Sequence, residues 1–165
     1  MKIKEFLQGR FMGHPLHPAL VHLPVGLWVA SFFFDIASLL NSNPVIGHFF
    51  VITSYYCILL GVIAAFPTAV SGVAEFVDIP RGTKPQAIAI AHMTLNVILL
   101  AGYIVQLVSR DTNRGSVAIG TFVFNTLEFL ILSYSGYLGG KLAYEHRIGS
   151  RDHARSDGVN HRKVA

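Results

Sequence analysis

Four apolar runs, roughly residues 18–40, 45–77, 86–108 and 117–144, make up most of this 165-residue chain. A helix needs about 20 predominantly apolar residues to cross the hydrocarbon of a bilayer, and each run supplies them. The sequence therefore predicts an all-α, four-helix transmembrane bundle with short loops. Composition agrees: 13% of residues are charged, against about 25% in soluble domains, and mean hydropathy is +0.51. The second and fourth runs exceed one crossing, which calls for tilt or extension beyond the hydrocarbon.

Charge placement predicts orientation. If the helices alternate, one side receives Lys2, Lys4, Arg10, Arg81, Lys84, Lys141, Arg147, Arg151, Arg155, Arg162 and Lys163, and the other only Arg110 and Arg114. The positive-inside rule places both termini in the cytoplasm. The pI of 9.4 follows from this asymmetry and gives no sign of nucleic-acid binding. Residues 147–165 are basic and poor in large apolar side chains, a disordered tail held near anionic lipid headgroups. Residues 1–13 place Ile3, Phe6, Leu7 and Phe11 on one face, as in a short helix lying on the membrane surface. No cleavage pattern closes the first run, so it reads as a retained span and not a signal peptide. The transmembrane domain covers residues 14–146.

Histidine in lipid-facing sequence needs a partner, because an ionisable group there is costly unless it faces the bundle interior, a metal or a cofactor. The first run opens with His14, His17 and His22 among Pro15, Pro18 and Pro24. On the third, His92, Asn96, Leu99 and Tyr103 fall within about 60° on the helical wheel, a stripe that should point inward. Measured from the same side, His22 lies roughly 6 Å and His92 roughly 9 Å along its helix. Two imidazoles at matched depth on different helices are what bis-histidine ligation of haem b requires. Gly26, one turn above His22, leaves room for a flat macrocycle, and Asn96 and Tyr103 can bond a ring nitrogen, a propionate or a quinone. Alternatively, His14, His17 and His22 take a divalent metal together with Glu75.

The remaining polar groups form further stripes. The second run presents Cys57, Gly61, Ala64, Thr68, Ser71, Glu75 and Asp78, with Pro67 as a kink. The fourth presents Asn125, Glu128, Ser135, Gly136, Gly139 and Gly140, the 136 and 140 pair being a small-xxx-small pattern. Cys57 stands alone, which excludes a disulfide framework or an iron–sulfur site. Asp35 is roughly 20 Å from His22 by helical rise. Together with Glu128 it either lines a proton or ion path or, the preferred reading, stays protonated and bonds nearby hydroxyls. Glu75 and Asp78, near Arg81 and Lys84, read as interfacial salt-bridge partners. Nucleophile–base triads, phosphate loops and zinc-hydrolase signatures are absent from the sequence.

His14-Pro15-Leu16-His17-Pro18-Ala19-Leu20-Val21-His22-Leu23-Pro24-Val25-Gly26, Ser71-Gly72-Val73-Ala74-Glu75-Phe76 ahead of Ile79-Pro80, Ala91-His92 with Asn96, and Gly139-Gly140-Lys141-Leu142-Ala143-Tyr144-Glu145-His146 together resemble the DUF2231 family of bacterial four-helix membrane proteins. The likeness runs from about Gly13 to Gly149, and departs where the family usually has an acid, at Lys141, and a glycine, at Arg147. It implies a multi-pass protein of the bacterial inner membrane, laid out like a small b-type cytochrome, with a Rieske-type or other redox protein as partner. The combined expectation is an electron-transfer subunit, not a stand-alone enzyme, holding haem b through His22 and His92, with quinone as a further partner. Two rivals stand beside it: a metal- or ion-transport module built on His14, His17, His22 and Glu75, and a structural accessory subunit.

Overall fold

The chain is described by a computed structural model over residues 3–9 and 15–148, and these are helical, without strands. A one-and-a-half-turn helix α1 (Ile3–Leu7) precedes four long helices: α2 (Leu16–Leu40), α3 (Pro44–Phe76), α4 (Lys84–Ser109) and α5 (Ile119–Gly140). A turn of π-helix, Lys141–Glu145, extends α5. The expected basic tail lies outside the described residues from 149 onward.

Local chemistry sets the helix boundaries. At the head of α3 the Asn43 side chain accepts from the amides of Val45 and Ile46, with Pro44 at the first helical position, where a missing N–H costs nothing. The turn into α4 places Gly82 at φ 73, a backbone region glycine enters without penalty. Thr83 then caps the helix by accepting from the Gln86 amide, while the Gln86 side chain accepts from the Gly82 amide, a variant of the capping box. In α2, Pro18 falls within the first turn, where no intrahelical donor is lost. Both α2 and α3 continue through their internal prolines, Pro24 and Pro67.

Three helices, α2, α3 and α4, are long and apolar enough to cross a membrane. The fourth, α5, is diluted by the polar residues it buries, among them Asn125, Glu128 and Ser135. It nevertheless runs antiparallel beside α4, bonding Gln106 near one end of that helix and His92 near the other. The bundle is polar inside and apolar outside. Ser31, Asp35, Ser54, Gln106 and Asn125 are fully buried, whereas Phe33, Phe49, Leu60, Ile63, Val97 and Leu130 are exposed where lipid would lie. Trp28, Ile58, Val62, Leu99, Tyr103 and Leu132 form the central apolar cluster.

The two helical hairpins, α2–α3 and α4–α5, repeat one another. On α2, the His17 Nδ1 lies 2.9 Å from the carbonyl oxygen of Thr68, and its ring rests on Gly72. On α4, the His92 Nδ1 lies 2.9 Å from the carbonyl oxygen of Ser135, and its ring rests on Gly139. In each case the glycine follows the accepting residue by one turn. The same register carries His17 to His92, Trp28 to Tyr103 and Asp35 to Arg110, each pair 75 positions apart. Trp28 stacks on Tyr103 at 4.3 Å, and Asp35 pairs with Arg110. Equivalent positions touch each other only next to a two-fold axis. Two such contacts, two helical turns apart, place that axis between α2 and α4 and along the bundle, the arrangement of parallel-repeat membrane proteins.

Candidate functional site

The histidine pair sits near the end of the bundle that carries the chain termini. His17 occupies the first turn of α2, whose start is tied to the end of α1. The Gln8 carbonyl accepts from the Leu16 amide at 3.3 Å, satisfying one orphan donor of the helix start. Buried Gln8 also donates to the Ala74 carbonyl at 2.8 Å and to Asp78, and Lys4 pairs with Asp78. Asp78 thus answers to α1, not to Arg81 or Lys84 as the sequence suggests, because α1 folds back onto the end of α3.

A carbonyl oxygen only accepts, so the bonds to Thr68 and Ser135 place the proton on Nδ1 of both rings and leave Nε2 with its lone pair. This is the orientation that metal-bound histidines adopt, fixed through the second nitrogen. The Ser71 hydroxyl adds a contact to the His17 Nδ1 at 3.4 Å, and the Ser135 hydroxyl one to the His92 Nδ1 at 3.1 Å. Around His92 the shell is completed by Asn96, whose two amide hydrogens are shared among Nε2 at 3.1 Å, the His92 carbonyl at 2.8 Å and the Ser135 hydroxyl at 3.0 Å. The Nε2 of His17 has no bond among the described residues.

The glycines make this packing possible. A Cβ at Gly72 would lie 2.9 Å from the His17 Cε1, and one at Gly139 would lie 3.1 Å from the His92 Cε1. Both are closer than ordinary carbon contacts, so each histidine lies flat against bare backbone.

Placement of the expected residues differs in several respects. His92 and Asn96 meet as anticipated. His22 faces outward on α2 and is exposed; the imidazole in the environment matching that of His92 belongs to His17, five residues earlier. Gly26 is likewise exposed, with nothing near the place of a Cβ. Tyr103 is fully buried but lies three turns from His92, against Trp28. His14 lies outside the described residues. Among the described residues no three of His, Cys, Asp and Glu converge as a metal-binding group, so His17, His22 and Glu75 do not form one. On α5 the close approach is at Gly139, and Gly136 faces outward with open space beside it.

A second polar cluster lies beyond Tyr103, toward the opposite end. Asp35 receives the Arg110 guanidinium on one oxygen and the Asn125 amide, at 2.7 Å, on the other. Arg110 also donates to the Gln106 side chain at 3.0 Å, and Gln106 donates to Glu128. The expected hydroxyl partners for Asp35 are therefore replaced by a cation. Arg110 follows the last residue of α4 and reads as a loop charge, yet its long side chain reaches back into the bundle.

These features define an integral membrane protein: a four-helix bundle of two repeated hairpins with a polar interior. The family model described as "Predicted membrane protein (DUF2231)" matches residues 13–152, and the chain belongs to that family. No curated protein and no solved structure matches it.

Proposed function

We propose that this protein binds haem b between its two hairpins, where His17 and His92 would hold the iron, and serves as an electron-transfer subunit in the bacterial inner membrane with both termini cytoplasmic. The observation that supports this is the duplicated anchoring of the two imidazoles. Each hairpin fixes one ring through Nδ1 to a backbone carbonyl and seats it on a glycine, which turns Nε2 toward the role of a ligand; the His17 Nε2 is open, and the His92 Nε2 accepts from Asn96. His17 replaces His22 in the sequence-based pairing because it stands on the inward face of α2.

Two imidazoles, each held through Nδ1, are the donor set that haem b would need. A haem held this way supplies a one-electron carrier. Asn96 can release the His92 Nε2 and keep its bonds to the His92 carbonyl and the Ser135 hydroxyl, so ligation leaves no buried amide unpaired. The Thr68 and Ser135 carbonyls hold both rings in the ligating tautomer before any metal arrives. The position near the terminal face suits exchange with a soluble redox partner on that side, and a membrane quinone on the other side of the exchange.

Absorption spectroscopy of the detergent-solubilised protein, expressed with haem supplementation, tests the reading. A Soret band and a sharp reduced α band are expected, lost in His17→Ala and in His92→Ala and retained in His22→Ala. A colourless protein overturns haem binding, and a band that survives both substitutions overturns this ligand pair. Loss in His22→Ala with retention in His17→Ala restores the pairing read from the sequence.

A further inference from the structure

The cluster around Glu128 contains more negative charge than its protein partners neutralise. Asp35 and Arg110 compensate one another, each with its side chain almost wholly buried. Glu128, 3% exposed, is left with an uncharged donor, Gln106. The titratable and charged groups facing it are Tyr103 and Arg110 from α4 and Asp35 from α2. On α5 itself the other titratable residues, Tyr134 and Tyr137, are exposed. An uncompensated carboxylate at this depth costs several kcal/mol. Something must cancel its charge.

The local geometry shows where the compensating species belongs. In this cluster three buried oxygens have no hydrogen-bond partner among the described residues: Glu128 Oε1, Asn125 Oδ1 and Tyr103 Oη. Groups of this kind are normally satisfied by internal water. The seat for the carboxylate is built into the backbone, since a Cβ at Gly102 would collide with Glu128 Oε1. The repeat shows that this feature is specific to one hairpin. The position on α3 equivalent to Glu128 is Gly61, where the Trp28 indole occupies the space.

We propose that Glu128 is an exchangeable proton-binding site, carrying its proton on Oε1 toward water held against Tyr103 and Asn125. Taking up the proton makes the cluster electroneutral, and releasing it leaves one net negative charge between α4 and α5. The bonded series from Glu128 through Gln106 to Arg110 and Asp35 runs toward the loop after α4 and holds the carboxylate in place. The inference does not depend on haem and applies to the protein with or without it.

Infrared difference spectroscopy on the purified protein in lipid tests it. A carboxylic-acid C=O band is expected at neutral pH that shifts in D2O, disappears reversibly as pH is raised, and is absent from the isosteric Glu128→Gln variant. Asp35→Asn should leave that band in place. Absence of an acid band at every pH where the protein stays folded overturns the proposal and assigns the compensating charge to a metal cation. A band that neither exchanges in D2O nor titrates also overturns it, because the acid is then purely structural. A wild-type protein without a titrating acid band overturns the proposal even where a variant fails to fold, and Glu75→Gln, which should leave the band in place, separates it from that other partly buried carboxyl.

Discussion

Trp28 and Tyr103 stack face to face at 4.3 Å, with an interplanar angle of 18°, and occupy the same place in two copies of one hairpin. Their rings bridge α2 and α4 between the histidine pair, about three turns away, and the Asp35–Arg110 pair, about two turns away. The stack therefore fixes how far apart the hairpins stand, and with that the spacing at both polar sites. Stacked aromatics contribute about 0.5–1.5 kcal/mol beyond the area they bury.

Trp28→Ala should lower stability by about 3–5 kcal/mol, as expected for emptying a large aromatic site in a packed core. The indole also fills the space over Gly61, where a Cβ would strike it, so the cavity would open on two sides. Trp28→Phe should recover much of the loss. Unfolding of the detergent-solubilised protein, followed by circular dichroism, provides the comparison, and equal stability of Trp28→Ala and wild type would deny the stack its bridging role.

Gly72→Ala and Gly139→Ala should act alike but unequally. The new methyl at 72 would press on the His17 ring more closely than the one at 139 presses on His92, at 2.9 Å against 3.1 Å. Overpacking of this kind costs about 1–3 kcal/mol, with Gly72→Ala the more damaging. Gly136→Ala and Gly26→Ala, which meet open space, should be neutral or slightly stabilising, since alanine is the better helix former by about 1 kcal/mol. Thermal midpoints of the four variants check the order.

Much of the architecture was legible because lipid imposes a simple rule on backbone, and long apolar runs can satisfy it only as helices. The inward faces were harder to read, since helices that are apolar all round carry weak periodicity. His22 attracted notice because it interrupts an apolar run, whereas His17 lay among prolines that obscured its helix. The decisive signal was the internal repeat: His17, Trp28 and Asp35 recur as His92, Tyr103 and Arg110 with the same spacing. It was masked because Asp35 and Arg110 are opposites in charge, complementary across the axis instead of alike. The glycine that the family resemblance implies at position 147 has a physical reason here, since Arg147 holds φ 55, a left-handed backbone where glycine is at ease.

The Lys4–Asp78 pair should matter little for stability. Both side chains are substantially exposed, at 46% and 34%, and such pairs contribute about 0–1 kcal/mol. Lys4→Ala should leave the thermal midpoint nearly unchanged while loosening α1 from the end of α3. Gln8→Ala should be the more disruptive, because Gln8 is buried and bonds the Ala74 carbonyl. Proteolysis at the N-terminus, faster in Gln8→Ala than in Lys4→Ala, is the expected result.

Asp35 and Arg110 offer the sharpest test of the repeat. Removing one partner leaves a buried charge alone, so Asp35→Asn and Arg110→Gln should each cost about 3–5 kcal/mol. Asp35 also accepts from Asn125, which gives Asp35→Asn a second unsatisfied contact and makes it the worse of the two. Because the residues occupy equivalent positions, the exchange Asp35→Arg with Arg110→Asp rebuilds the pair across the same axis. Recovery should be partial, since Arg110 now leans on Gln106 while the matching position on α2 is the shorter Ser31. A double-mutant cycle on unfolding free energy measures the coupling. An exchanged protein less stable than Arg110→Gln would show that the two hairpins are not interchangeable at this position.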